Sequence, residues 1–169
     1  MDYKSNIKRY GILTLSLSLF FYIFRYVPHP PNFTPVIAVT LYTSIFFGSR
    51  SLPFIILAYA ITDFFIGFHN LLLFTWGSLT LIRIFNRLYN SFFTRIIGIF
   101  LSSLIFFIFT NFGVWVLSDM YSNNIYGLIS CYIMAIPFFA NTLISTMFFG
   151  LLLELFILCK KKLPKFYVK

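Results

Sequence analysis

The basic residues of this chain are distributed in a way that constrains how its apolar segments can be arranged. When these segments are threaded through a membrane as six passes, 12 of the 13 Lys and Arg residues fall on one side. Only Arg25 falls on the other side. Positive charge is retained on the cytoplasmic side during insertion, so the partition predicts the number of passes and their direction. The residues on the cytoplasmic side are Lys4, Lys8, Arg9, Arg50, Arg83, Arg87, Arg95, Lys160, Lys161, Lys162, Lys165 and Lys169.

The composition excludes a soluble domain. The chain is 60% hydrophobic and 10% charged, with a mean hydropathy of +0.90, so its surface is expected to face a lipid bilayer. The net charge of +9 lies in short clusters at segment ends, which is typical of membrane topology, and no nucleic-acid partner is expected. Because the loops are too short to fold alone, residues 1–169 are predicted to form one all-α domain.

Six apolar segments are predicted to be transmembrane helices, with both termini cytoplasmic. A hydrocarbon core of about 30 Å needs about 20 helical residues, so the second segment is short and is expected to be tilted or shielded by its neighbours. Ser51 and Pro53 form a start signal for the third helix, with Ser51 as the N-cap. The passes run roughly over 11–27, 34–48, 52–68, 70–86, 95–117 and 137–158.

One further apolar stretch, residues 125–136, is too short to span a bilayer. It follows a polar loop at 118–124 and precedes Pro137, which interrupts a helix because it has no backbone N–H. We predict either an external half-helix or a kinked extension of the sixth pass.

The rare polar residues of the segments gather near the external face. At 1.5 Å per residue, Asp63 lies roughly 7 Å deep, Asn111 roughly 9 Å and Asn141 roughly 6 Å. Asn111 and Trp115 share one face of the fifth helix because they are four residues apart. Aromatic and apolar walls with a few convergent polar groups are typical of a small-molecule site. The candidate substrate-binding residues are Arg25, His29, Asn32, Asp63, His69, Asn111, Trp115 and Asn141.

Each candidate also has a structural interpretation. Asp63 is expected to lie within ion-pair reach of Arg25, because each charge would be costly alone at this depth. Asn111 and Asn141 can equally be interhelical hydrogen-bonding residues, and Trp115 an anchor at the membrane interface. If Asp63 belongs to a binding site, Asp63→Asn is expected to abolish solute binding while the bundle stays folded. The residue types suit a flat, neutral or cationic heterocycle, among other ligands.

No enzyme is expected, because the sequence lacks the common hydrolase, metalloprotease and phosphate-binding motifs. No cofactor and no metal are predicted either. Cys131 and Cys159 fall in opposite halves of the bilayer, so they are expected to be unpaired. Glu154 lies near the cytoplasmic end of the sixth helix, where it could pair with Lys160 or Arg83 or contact a partner.

Four blocks of sequence resemble the signature of a bacterial family of unknown function that is grouped with transport proteins. That family is in turn similar to the substrate-binding S components of energy-coupling factor (ECF) transporters. The blocks are Arg-Tyr-Val-Pro-His-Pro-Pro-Asn-Phe-Thr-Pro at 25–35, Asp-Phe-Phe-Ile-Gly-Phe-His at 63–69, Phe-Phe-Ile-Phe-Thr-Asn-Phe-Gly-Val-Trp at 106–115, and the stretch from Tyr126 to Thr142.

The resemblance implies a six-helix bundle that binds a vitamin-like solute near the external face. Residues 25–35 would be the lid, and Asp63, Asn111, Trp115 and Asn141 would line the pocket. S components dock on an energising transmembrane subunit with ATPases through an Ala-x-x-x-Ala surface of the first helix. Residues 12–24 contain no alanine, and Thr14 with Ser18 is the small-residue pair in that place.

The leading hypothesis is therefore a solute-binding transport subunit of the bacterial inner membrane. The alternative is a structural or scaffolding membrane protein whose polar cluster only locks the helix ends, and an intramembrane enzyme comes third. A cavity that contains Asp63 between the third, fifth and sixth helices would favour transport, whereas a packed bundle without a pocket would favour a scaffold.

The charge partition makes a topological prediction. In a cysteine-free background, single cysteines placed at Asn32 and Asn123 should react with an impermeant thiol reagent added to intact spheroplasts, because both loops are predicted to be external. A cysteine at Asn90 should react only after the membrane is opened. Protection of the first two sites together with labelling of the third would contradict the topology.

Overall fold

The structure is a computed structural model that describes residues 3–84, 89 and 91–162. It is all-α, with no strand in these ranges. Arg87, Asn90, Lys165 and Lys169, which the sequence analysis assigned to one side of the membrane, lie outside the described residues. The helices are α1 (Tyr3–Tyr26), α2 (Val36–Phe47), α3 (Leu52–Ile66), α4 (Leu72–Ile84), α5 (Phe92–Leu117), α6 (Ile125–Met134) and α7 (Ile136–Lys162).

Helices α1 and α3 run in the same direction, as do α2 and α7. Arg25 near the end of α1 meets Asp63 near the end of α3. Pro31, just before α2, meets Asn141 early in α7, and Tyr42 meets Glu154 further along both helices. The connections therefore carry the chain back and forth along the bundle, as expected for consecutive helices joined by short loops.

Alternation of direction places the basic residues at one end of the bundle. Arg50 lies in the short 3-10 turn between α2 and α3, Arg83 in the last turn of α4 and Arg95 in the first turn of α5. This end, where α1 begins and α7 finishes, is the basic end. Arg25 lies in the last turn of α1, at the opposite end.

In the described part of the chain, two helices are long and apolar enough to cross a membrane, Phe92–Leu117 and Ile136–Cys159, and the other apolar helical stretches, such as Tyr10–Tyr26 of α1, have 10–17 residues. Only 22% and 33% of their most apolar stretches is buried within the chain. Because the core helix of a soluble protein is mostly buried, these exposed apolar surfaces suggest a membrane protein.

Helix α2 is the centre of the bundle. Nine of its twelve residues are buried, and it packs against α4, α5 and α7. Its neighbours therefore shield this short apolar segment, which is one of the two arrangements that the sequence analysis predicted. A helix that is apolar all round is expected to be buried on all sides.

Helix α6 is a kinked extension of α7. The partners of α5 follow one antiparallel register through both helices: Arg95 meets Glu154, Phe107 meets Phe139, and Asn111 meets Cys131. The chain breaks at Ala135, one residue before α7, and Pro137 follows in the first turn of α7. The break fits the missing N–H of Pro137, which cannot continue the hydrogen-bond ladder of α6. Of the two predicted arrangements, the kinked extension is correct.

The start of α3 and the small-residue pair of α1 can both be described in detail. Ser51 begins α3 as predicted, but its hydroxyl donates to the Gly48 carbonyl and makes no capping hydrogen bond to the helix. Thr14 and Ser18 are 6% and 7% exposed, and they lie on the buried face of α1. Each hydroxyl bonds to a carbonyl one turn earlier, so this small-residue pair packs within the chain and is not a docking surface.

Candidate functional site

An ion pair joins α1 and α3 at the end opposite the basic end. Arg25 Nη1 lies 2.6 Å from Asp63 Oδ1, which confirms the predicted pairing. The Asp63 side chain is fully buried and that of Arg25 is 13% exposed. Two parallel helices bring these residues together because each lies within a turn of its helix C-terminus. The pair lowers the cost that either charge alone would incur in an apolar environment.

Three neighbours enclose the ion pair. Trp76 Nε1 donates to Asp63 Oδ2 at 2.9 Å, and Thr62 Oγ1 accepts from Arg25 Nη1. The guanidinium carbon of Arg25 lies 4.4 Å from the centre of the Tyr59 ring, a cation–π contact. Asp63 Oδ1 accepts no hydrogen bond of good geometry, so its contact with Arg25 is mainly ionic. These contacts hold the guanidinium in one place.

Two neighbouring cavities lie at the same end of the bundle. The large cavity has a volume of about 430 Å³, and the small cavity about 270 Å³. Asn32, Tyr59 and Phe106 belong to the walls of both, so the cavities adjoin. Residues that line only the large cavity include His69, Thr75, Thr110, Asn111, Met120, Tyr121, Cys131, Met134 and Phe138. Residues that line only the small cavity include Arg25, His29, Thr34 and Thr142.

Five of the eight candidate residues line the cavities. Arg25 and His29 face the small cavity, His69 and Asn111 face the large one, and Asn32 lies between the two. The Asn111 amide nitrogen donates to the Phe107 carbonyl of its own helix. Because an amide also carries an oxygen acceptor and a second N–H, Asn111 keeps polar capacity for a ligand.

The other three candidates, Asp63, Trp115 and Asn141, line neither cavity, contrary to the sequence-based expectation. Asp63 is covered by its contacts with Arg25 and Trp76. Trp115 Nε1 donates to the carbonyl of Ser122 at 3.1 Å, so it fastens the loop between α5 and α6. Helical spacing predicted the depth of these residues but not which neighbour would cover them.

Asn141 instead holds the proline-rich loop before α2. Its amide nitrogen donates to the Pro31 carbonyl at 3.1 Å, and the Ser145 hydroxyl donates to the Asn32 carbonyl at 3.5 Å. Asn32 has a φ of 62°, a left-handed conformation that asparagine tolerates better than most residues. Phe33 packs on the α7 rings of Phe148 and Phe149, so a few contacts fix this loop over the cavities.

Trp76 is a partner of Asp63 that was not predicted from the sequence. The two residues are thirteen positions apart, on consecutive antiparallel helices joined by a short loop. A partly buried tryptophan usually finds an acceptor for its N–H, and Asp63 is an acidic residue on the neighbouring helix. The match between an indole N–H donor and a carboxylate acceptor on neighbouring helices could have predicted this contact.

A second buried ion pair lies at the basic end. Glu154 is 3% exposed and pairs with Arg95, whose Nη2 lies 2.9 Å from Oε2 and whose Nε contacts Oε1. The Tyr42 hydroxyl also donates to Oε1 at 2.7 Å. From the sequence, Lys160, Arg83 and a partner protein were open as contacts of Glu154; the antiparallel register of α5 and α7 brings Arg95 to it. This cluster borders neither cavity.

Within residues 3–84, 89 and 91–162, no group of three or more His, Cys, Asp or Glu side chains could hold a metal ion. The Cys131 thiol, in the wall of the large cavity, donates to the Asn111 carbonyl at 3.4 Å. The walls of the cavities offer hydrogen-bonding groups, aromatic rings, the Cys131 thiol and the charge of Arg25.

The chain belongs to a family of unknown function, DUF6580, whose family model matches residues 5–166. No curated protein and no solved structure gives a match. Membership of a family of unknown function is thus confirmed, while the grouping with transport proteins and the likeness to ECF S components stay predictions.

The enclosure of Asp63 changes the expected effect of Asp63→Asn. This variant leaves the Arg25 cation nearly buried without a counter-charge, and we expect a loss of about 3–5 kcal/mol of unfolding free energy. The double variant Arg25→Gln/Asp63→Asn removes both charges and keeps hydrogen-bonding groups, so it should be more stable than the single variant. Unfolding in mild detergent with added denaturant measures both, and wild-type stability in Asp63→Asn would contradict the assignment.

Proposed function

We propose that the chain is a solute-binding subunit of a membrane transport system in the bacterial inner membrane. It captures a small molecule from the external side in the two adjoining cavities. In this proposal the bundle crosses the membrane six times and both termini are cytoplasmic, so the basic end faces the cytoplasm. The observation that carries the proposal is a pair of cavities beneath a fastened loop at the end that lacks the basic clusters.

The walls of the large cavity support binding of a small molecule. Its volume of about 430 Å³ lies within the usual range of ligand pockets. Aromatic rings such as Phe106 and Phe138 alternate with polar groups such as Asn111, Thr110 and His69. A scaffold protein has no need for such a space, because tight packing of side chains stabilises a bundle better than a void does.

The position of the cavities supports access from outside the cell. The described walls of the large cavity include residues from three loops at the end opposite the basic end: Pro31 and Asn32, His69, and Met120 with Tyr121. The charge partition assigns these loops to the external face. A solute could therefore enter between loops without crossing the hydrocarbon core.

The loop before α2 is suited to act as a lid. Pro28, Pro30, Pro31 and Pro35 restrict its conformations, so ordering the loop over a ligand costs less entropy. Two side-chain hydrogen bonds, from Asn141 and Ser145, tie its backbone to α7. Breaking these bonds and shifting Phe33 would free the loop without unfolding a helix.

Transport against a gradient needs an energy source that the chain does not visibly contain. An energising transmembrane subunit with ATPases is a candidate partner. Docking through Thr14 and Ser18 is not part of the proposal, because both side chains are buried within the chain. Such a partner would meet the exposed apolar side of α1, where Leu15 and Leu19 are 70% and 63% exposed.

Filling the large cavity should remove the bound solute. Thr110 lies on α5 and lines this cavity, so Thr110→Phe places a ring in the space that the solute occupies. We expect at least about a tenfold loss of small molecules that co-purify in mild detergent, measured by mass spectrometry of extracts from protein of equal amount and equal thermal stability.

The matched control is Val116→Phe on the same helix. Val116 is 47% exposed and lines neither cavity, so the added ring should face lipid and leave the bound solute unchanged. Equal solute content in wild type and Thr110→Phe, or none in either, would favour the scaffold interpretation.

A further inference from the structure

The charged groups around the two cavities are unevenly placed. Among the described wall residues, Arg25 is the one Lys, Arg, Asp or Glu side chain, and it belongs to the small cavity. Asp63, the acid at the same depth, lines neither cavity. The walls therefore do not favour a cationic ligand, although the sequence analysis had included cationic heterocycles among the expected ligands. They offer a cation to the small cavity and neutral groups to the large one.

Arg25 has hydrogen-bond donors that are not used by the described residues. Its contacts with Asp63 and Thr62 both use Nη1, while Nη2 and Nε have no partner among the described residues. A guanidinium carries five N–H donors in a planar fork that matches the two oxygens of a carboxylate. The side chain is only 13% exposed, so a ligand acceptor would meet these donors in a largely apolar surrounding, where a charge-assisted hydrogen bond is strong.

Other wall residues of the small cavity suit an anionic group. The Thr34 hydroxyl has no hydrogen-bond partner among the described residues, so it can donate to a ligand oxygen. His29 Nδ1 lies 2.8 Å from the Pro30 carbonyl, which requires a proton on Nδ1. Asp63 meanwhile holds Arg25 in position from the side away from the cavity.

We propose that the small cavity is a carboxylate subsite, with Arg25 as its main ligand-binding residue. This inference rests on the proposed function and narrows its substrate class. The solute carries a carboxylate in the small cavity and an uncharged, apolar or aromatic body in the large one. The shared walls at Asn32, Tyr59 and Phe106 let one molecule occupy both spaces.

A pair of matched probes tests the subsite. 3-Phenylpropionate and 3-phenylpropionamide have nearly the same shape, and only the first carries a carboxylate. Isothermal titration of the purified full chain in mild detergent should give at least about tenfold tighter binding of the acid, because charge-assisted bidentate hydrogen bonds are roughly twice as strong as neutral ones. Equal affinities, or tighter binding of the amide, would overturn the proposal.

The variants separate the subsite from general effects on folding. In Arg25→Gln/Asp63→Asn the two probes should bind within about threefold of each other, because the fork and its charge are gone while the large cavity is intact. Arg25→Lys keeps a positive charge for Asp63 and should also reduce the preference, since an ammonium cannot bind bidentately. The control Arg95→Gln/Glu154→Gln removes the other buried ion pair and should keep the full preference for the acid. Persistence of that preference in both Arg25 variants would overturn the proposal.

The co-purified solute provides a second readout that is independent of the probes. A solute with an acidic group, lost from Arg25→Gln/Asp63→Asn but retained in the Arg95 and Glu154 control, would support the subsite. A solute without any acidic group would overturn it and leave solute binding intact. If no solute co-purifies and neither probe binds, the proposed function itself fails.

Discussion

The fixed position of Arg25 depends on the carboxylate of Asp63, and the rest of the site depends on Arg25. A guanidinium in an apolar environment needs a counter-charge, and a fully buried carboxylate needs a cation and hydrogen-bond donors. Asp63 obtains these from Arg25 and Trp76, which links α1, α3 and α4 at one point. Because the pair satisfies only part of the guanidinium, the same contact that fastens three helices also presents unused donors to the small cavity.

The bundle contains a second cluster of this kind at the basic end, and the difference between the two is informative. Glu154 receives hydrogen bonds from Arg95 through two nitrogen atoms and another from Tyr42, so both carboxylate oxygens have partners. This cluster links α2, α5 and α7 and borders neither cavity. In the Glu154 cluster the carboxylate is fully satisfied by residues of the chain, whereas in the Arg25–Asp63 pair the guanidinium keeps donors that face a cavity. That contrast points to Arg25 as the charged group with a role beyond packing.

Much of the architecture could be predicted from the sequence, because apolar run lengths and charge placement report on helices and their directions. The Arg25–Asp63 pair was predictable from depth alone, since two opposite charges in an apolar layer are each costly without the other. The residues that line the cavities could not be predicted in this way. Spacing along one helix shows which residues share a face, but the rotation of that face depends on side chains of neighbouring helices. Trp76 covers Asp63, and the Ser122 carbonyl accepts a hydrogen bond from Trp115. Asp63 and Trp115 therefore do not line the cavities.

The break between α6 and α7 explains why the large cavity exists where it does. A straight helix from 125 to 162 would continue along α5 the antiparallel register that α7 has at Arg95. The chain instead breaks at Ala135, and residues on both sides of the break, Met134 and Phe138, form part of the cavity wall. Methionine is a flexible, polarisable side chain that adapts to irregular spaces. Pro137 keeps the break in place because it cannot donate the hydrogen bond that would straighten the helix. The space is therefore built into the backbone, and the side chains only determine what it can hold.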